Sequence, residues 1–171
     1  AFIKKGLPVF LSNGIWGIAM AAQTAILGHM GQSAITANSI ATTLFQILSV
    51  ISYGSANASA VIISKIIGER RTESIKPYTV TLQLIYILIG IITGFTLFLV
   101  KDVVVGWYVI SPQAKYLALG FLTILSVTVI GTSYEMAGLT GIVRGGGDTA
   151  FVLKNDIIFM WLFVIPSSLI A

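Results

Sequence analysis

The sequence predicts an all-α integral membrane protein built as a bundle of about five transmembrane helices. Three observations carry that prediction. Of 171 residues, 56% are hydrophobic and only 9% are charged, against roughly 25% charged in a soluble domain. With a mean hydropathy of +0.96, the chain lacks the polar side chains to cover a globular surface and needs lipid as its solvent. Its apolar residues fall in long blocks, and most of the charges collect in the short polar breaks between them.

A hydrocarbon core about 30 Å thick asks for ~20 apolar residues per helix, and five segments meet it. The first runs over 7–27, with Pro8 well placed at a helix start. A turn at Gly28-His29-Met30-Gly31-Gln32 leads into the second, 33–67. That segment is too long for an upright span and suits a tilted or protruding helix. The alternative of two short spans broken near Gly54 has no turn cluster beside that glycine. The loop Gly68-Glu69-Arg70-Arg71-Thr72-Glu73 precedes the third span, 78–100, which Lys101 and Asp102 close before the interfacial aromatics Trp107 and Tyr108. Ser111-Pro112 is a helix-start signal for the fourth, 113–143. Arg144-Gly145-Gly146-Gly147-Asp148-Thr149 breaks the helix, and Asp148 serves as N-cap of the fifth, 149–171, with Pro166 inside it. The five spans read as one helical bundle over 1–171.

Five crossings place alternate breaks on opposite sides. Lys4, Lys5, Lys65, Arg70, Arg71, Lys76, Arg144 and Lys154 then share one side, and Lys101 and Lys115 the other. Of the 10 basic residues, eight thus fall on the side of the N-terminus. This is the positive-inside pattern of a multi-pass chain whose N-terminus is cytoplasmic. The same placement accounts for the net charge of +4: the basic residues are loop anchors at a membrane surface, and no nucleic-acid face is expected. Residues 1–25 mimic a secretory signal, but several full-length spans follow. The start at Ala1 and the end within an apolar run read as a fragment.

The chemistry available is narrow. There are no cysteines and one histidine, His29, so disulfides, thiolate sites and histidine-rich metal centres are excluded within this chain. No metal or cofactor is expected. The glycines at 145–147 lack the Lys-Ser/Thr and the preceding strand of a phosphate-binding loop; Arg144 beside them reads as a lipid-phosphate anchor or a helix C-cap. No histidine pair, cysteine or carboxylate dyad has catalytic spacing, so the chain does not read as an enzyme.

Polar side chains at bilayer depth are costly, and their placement is informative. Residues three and four apart share a helix face. Asn13, Met20, Gln23 and Thr24 lie on or near one face of the first span. On the second, Ser39, Thr42 or Thr43, Gln46, Ser49, Tyr53 and Asn57 form a stripe, as do Thr123, Thr128, Thr132 and Glu135 on the fourth. Hydroxyl residues are ordinary at helix–helix contacts, but three stripes on separate helices also fit the walls of a polar cavity. Glu135 lies in mid-helix, nine residues before Arg144. It is a candidate proton carrier or cation ligand, with a structural hydrogen bond to a neighbouring helix as the other reading. Asp156 lies about 12 Å into the fifth helix. It is either a second acid of that cavity or an interfacial carboxylate near a helix N-terminus. The candidate binding residues are therefore Asn13, Gln23, Gln46, Glu135 and Asp156.

Several strings form a recognisable set: Leu7-Pro8-Val9 with Asn13-Gly14-Ile15-Trp16; Gly28-His29-Met30-Gly31 before Ala37-Asn38-Ser39-Ile40; Ser59-Ala60-Val61-Ile62-Ile63 ending at Ile67-Gly68-Glu69; Gly141-Ile142-Val143-Arg144-Gly145-Gly146-Gly147-Asp148-Thr149; and Asp156 to Trp161 with Pro166. In order and spacing the chain resembles the C-terminal lobe of the multidrug and toxic compound extrusion (MATE) family, over nearly its whole length. The resemblance implies half of a two-lobe, twelve-helix transporter, with these spans as the seventh to eleventh helices and an N-terminal lobe as partner. It further implies antiport coupled to sodium or protons, exporting drugs and organic cations across the cytoplasmic membrane of a bacterium. Many members carry a glutamate where this chain has Asn13. Some carry an aspartate at the position near Ser133, two residues from Glu135. Two other readings accompany this one: a lipid-linked sugar flippase of similar bundle plan, which expects a strongly cationic cavity, and a non-transporting membrane scaffold, which expects no accessible cavity.

Overall fold

A computed structural model of the chain describes residues 2–29 and 31–166. Among the described residues there is no strand. Helix α1 covers Phe2–His29 and α2 covers Gln32–Gly68. Between them Gly31 adopts φ +100°, a left-handed value that suits a residue without Cβ. α2 runs unbroken through Gly54 for 37 residues, so the long second segment is one helix. A short 3₁₀ turn at Thr72–Ser74 leads into α3, Ile75–Trp107, and α4 spans Pro112–Met136. α4 continues as a π-helical stretch over Ala137–Val143. After the glycine turn, α5 covers Thr149–Ile158 and continues as a second π-helical stretch over Phe159–Val164. The end of the expected fifth span, 167–171, lies outside the described residues.

Both cap signals act as local chemistry dictates. Ser111 accepts from the Ala114 backbone N–H at 3.2 Å and Asp148 from that of Phe151 at 3.0 Å, each satisfying a first-turn donor with no helical partner. Two boundaries differ from the sequence reading. α1 already runs from Phe2, so Pro8 lies inside the helix and not at its start. Lys101 and Asp102 do not close α3, which continues to Trp107. The reason lies in a neighbouring helix: the Lys101 ammonium donates to Thr123 Oγ1 at 2.7 Å and stands 4.1 Å from the Phe98 ring centroid. With the charge satisfied in this way, the helix has no need to end there.

Gly6–His29, Gln32–Gly68, Ile75–Trp107 and Pro112–Val143 are each long and apolar enough to cross a membrane. Side chains such as Phe10, Ile47, Val61, Leu88 and Phe95 point outward, as expected of a bundle solvated by lipid. The chain is a multi-pass membrane protein.

Packing divides the helices into a trio and a pair. α3 lies along α4, and α2 packs on α4, on its π-helical continuation and on α3; α1 pairs mainly with α5. Small residues let the trio's backbones approach. A Cβ on Gly90 of α3 would sit 2.9 Å from Ile130 Cα, and one on Gly94 would collide with the Ser126 carbonyl. Gly141 and Gly145 meet α2 in the same way, against the Ala56 carbonyl (3.0 Å) and Ala60 Cα (2.7 Å). Two apolar clusters complete the trio. One joins Ala37, Ala41, Leu97, Val105 and Leu122, the other Ala56, Ile63, Leu82, Tyr86 and Ala137. The Ser52 and Ser133 hydroxyls, 3.0 Å apart and buried, bridge α2 to α4.

Candidate functional site

Between the trio and the pair lies a cavity of about 730 Å³, within the range that holds drug-sized ligands. α1 contributes Ser12, Asn13, Trp16, Met20 and Gln23, spaced so that one helical face lines the space. α2 contributes Tyr53 and Asn57, and α4 contributes Thr132, Glu135 and Met136. Both π-helical stretches reach the same cavity: Leu139 and Thr140 from the first, Phe159, Met160 and Val164 from the second. A π turn closes its hydrogen bonds one residue later than an α turn, as when the Arg144 N–H donates to the Leu139 carbonyl at 2.9 Å. That widens the helix locally and displaces side chains from an α phase, a feature common near functional sites.

Two acids from different helices converge here. Asp156 of α5 accepts a hydrogen bond from the buried Ser12 hydroxyl of α1. Glu135 of α4 lines the same cavity. Like charges on one space repel, and a cation placed between them relieves that repulsion. The oxygen donors present are two carboxylates, hydroxyls and side-chain amides, a set suited to a hard cation or an ammonium group. Among the described residues no three His, Cys, Asp or Glu side chains gather as a metal site.

Four of the five candidate residues from the sequence, Asn13, Gln23, Glu135 and Asp156, line this cavity. Gln46 does not; it is exposed on α2, seven residues and roughly 10 Å of rise before Tyr53. The upper part of its stripe is bonded to its own helix, with Thr42 Oγ1 donating to the Asn38 carbonyl and Thr43 Oγ1 to that of Ser39, both at 2.8 Å. Ser133, near the position where some members of the resembled family carry an acid, is buried against Ser52 and outside the cavity lining, while Glu135 lines it.

Besides the apolar lining and Thr140, two residues of the site escaped the sequence reading. Ser12 holds Asp156, and its one available signal is its place one turn before Trp16 on the polar face of α1. Arg144 is the other. It stands at the C-cap of the π-helical stretch, one of the two expectations from the sequence, and it also lines the cavity one turn beyond Thr140.

The family model described as MatE matches residues 8–170. The chain belongs to the MatE family. Curated relatives of this MatE chain include two proteins named "Probable multidrug resistance protein NorM". The one from Listeria monocytogenes is 23% identical and the one from Listeria innocua 24% identical, each over 164 residues and 96% of this chain. The chain spans about a third (35%) of the length of those relatives. No solved structure matches the chain at comparable significance.

Proposed function

We propose that this MatE chain forms the C-terminal lobe of a multidrug exporter, an antiporter that expels organic cations across the cytoplasmic membrane of a bacterium in exchange for sodium ions or protons. The observation that carries the reading is the meeting of Glu135 and Asp156 on one drug-sized cavity. In this reading the two carboxylates take the substrate cation and the coupling ion in turn, because one cavity cannot hold both positive charges as favourably as either. Asn13 and Gln23 supply adaptable hydrogen bonds. Trp16, Met20, Phe159 and Met160 supply the apolar, deformable contacts that tolerate varied substrates. An N-terminal lobe of the same protein completes the cavity, and the eight-to-two basic bias supports a cytoplasmic N-terminal end for this lobe. An accessible cavity with two acids speaks against a scaffold and against a strongly cationic flippase site.

The test is transport by the complete protein in proteoliposomes, with ethidium as substrate and a sodium or a proton gradient imposed separately. Efflux driven by one gradient is expected, falling about tenfold, or about 1.4 kcal/mol, in both Glu135→Gln and Asp156→Asn. Undiminished efflux in the double variant would sink the carboxylate roles. Absence of gradient-driven movement for every cation tested would sink the export reading.

A further inference from the structure

α3 has 33 residues and is about 50 Å long, more than a hydrocarbon core of about 30 Å requires. Its last turns, with Lys101, Asp102 and the exposed Trp107, therefore reach the head-group layer. Lysines at such a level ordinarily stretch toward water. Lys101 is half-buried and reaches sideways to α4. Its ammonium donates to Thr123 Oγ1 at 2.7 Å and lies 4.1 Å from the Phe98 ring centroid. The Thr123 hydroxyl gives its own proton to the Leu119 carbonyl at 2.7 Å, which leaves its oxygen as the acceptor that fixes the ammonium. Both contacts solvate the cation, and neither carries a negative charge. The salt bridges found among the described residues, Lys65–Glu69 and Arg71–Glu69, lie beyond the opposite end of α3.

Thr123 also lines a groove of about 380 Å³ on α4, which shares no lining residue with the central cavity. Its shape follows from spacing. Tyr116, Gly120 and Ile124 succeed one another at four-residue intervals on one helix face, and all three line the groove. Tyr116 and Ile124 project outward, and Gly120 leaves a notch between them in which a Cβ would meet nothing within 4 Å. Below the notch the face continues with the exposed Val127. An open notch at head-group level, a cation at its deeper end and an apolar strip below it match the three parts of one lipid.

We propose that this groove is a site for a phospholipid of net negative charge, the class of phosphatidylglycerol. Its phosphate pairs with Lys101 at Thr123, its head group lies in the notch at Gly120 beside Tyr116, and its acyl chains run over Ile124 and Val127. A charge-assisted hydrogen bond to phosphate is stronger than one between neutral groups. A zwitterionic head group gains less, because its own ammonium competes for the phosphate.

The complete protein, in vesicles of equal parts phosphatidylethanolamine and phosphatidylglycerol, tests this with diazirine-bearing forms of each lipid. Attachment sites are mapped by peptide mass spectrometry. The phosphatidylglycerol probe should label residues 116–127 in preference to the phosphatidylethanolamine probe. That preference should fall about tenfold in Lys101→Gln, as for loss of one charge-assisted contact, and Lys101→Arg should keep it. Lys115→Gln, which removes a cation eight residues before Thr123, should keep it as well. Gly120→Leu should abolish the labelling without lowering the midpoint of thermal unfolding, and it decides the matter alone if Lys101→Gln does not fold. Equal labelling by both probes in the wild type overturns the proposal. So does an equal fall in Lys115→Gln, which would mean attraction to surface charge in general. Absent labelling together with an unstable Gly120→Leu variant also overturns it, by showing that another helix of the complete protein fills the groove. No transport is measured, so the outcome is independent of the export reading.

Discussion

Ser12 and Gln46 are polar side chains on apolar helices with opposite fates. Ser12 is buried, 2% exposed, and donates to Asp156; Gln46 is exposed and outside the cavity. Replacing Ser12 by Ala removes a donor from a half-buried carboxylate, a change of about 0.5–1.5 kcal/mol. A three- to tenfold rise in half-saturation for ethidium is expected, with Ser12→Thr retaining wild-type behaviour because the hydroxyl remains. Gln46→Ala should shift the same measurement by less than about twofold, the range of a surface substitution. The rule of three- and four-residue spacing found the right faces, since Asn13, Gln23, Tyr53, Asn57, Thr132 and Glu135 all reach the cavity. It could not find where along a face the cavity stops, because that depends on which helices lie opposite. α2 is 37 residues long, and the cavity meets only the section around Tyr53 and Asn57. Arg144 was hidden for a related reason. Next to a glycine break it has the look of an interfacial anchor, and only the packing of Gly145 on Ala60 reveals the cavity wall beside it.

At the scale of elements, the α3–α4 seam is the tightest contact and the easiest to break. A side chain at Gly94 would meet the Ser126 carbonyl and the Val129 side chain, and one at Gly90 the Ile130 backbone. Gly94→Leu should destabilise by about 1–3 kcal/mol or more, since backbone on the far side cannot yield as a side chain would. A lowered midpoint of thermal unfolding in detergent checks this, with Gly106→Ala, where a Cβ meets nothing within 4 Å, as the tolerant comparison. Asp148→Ala should cost about 1 kcal/mol through the lost cap. Caps at Ser111 and Asp148 were legible because a cap acts within three residues of itself. The length of α3 was not, because Lys101 is satisfied by Thr123 on another helix. The π-helical stretches left no mark in the hydropathy pattern. Their cause is a choice of hydrogen-bond partner, and Ala137–Val143 is as apolar as an α-helix would be there.

For the whole molecule, the thickness of a bilayer made the fold class readable, since four helices longer than the hydrocarbon core leave few other options. Which helices pair was not readable. Nothing in hydropathy distinguishes a lipid-facing apolar side chain from one facing another helix, so the division into α2–α3–α4 and α1–α5 emerges only from packing. The orientation is testable with introduced thiols, since no native cysteine within this chain competes with them. In intact bacterial cells, a membrane-impermeant maleimide added from outside should label Val109→Cys in the complete, otherwise cysteine-free transporter. It should leave Glu73→Cys unlabelled until the membrane is opened. The reverse pattern would invert the topology.

The π-helical stretch after α4 has a consequence for how this chain can change length. A turn closed five residues back instead of four is, in register, an α-helix carrying one inserted residue. Taking one residue out of 137–143 would let the ladder close as α while α4 below and the glycine turn above keep their places. Deletions elsewhere in α4 would rotate everything downstream by about 100°. This wall of the cavity can therefore lose a single codon and still deliver a folded helix, with Thr140 or its neighbours reassigned to a new direction. Relatives that differ in what they recognise can be reached from this sequence by an indel at that turn as well as by substitution.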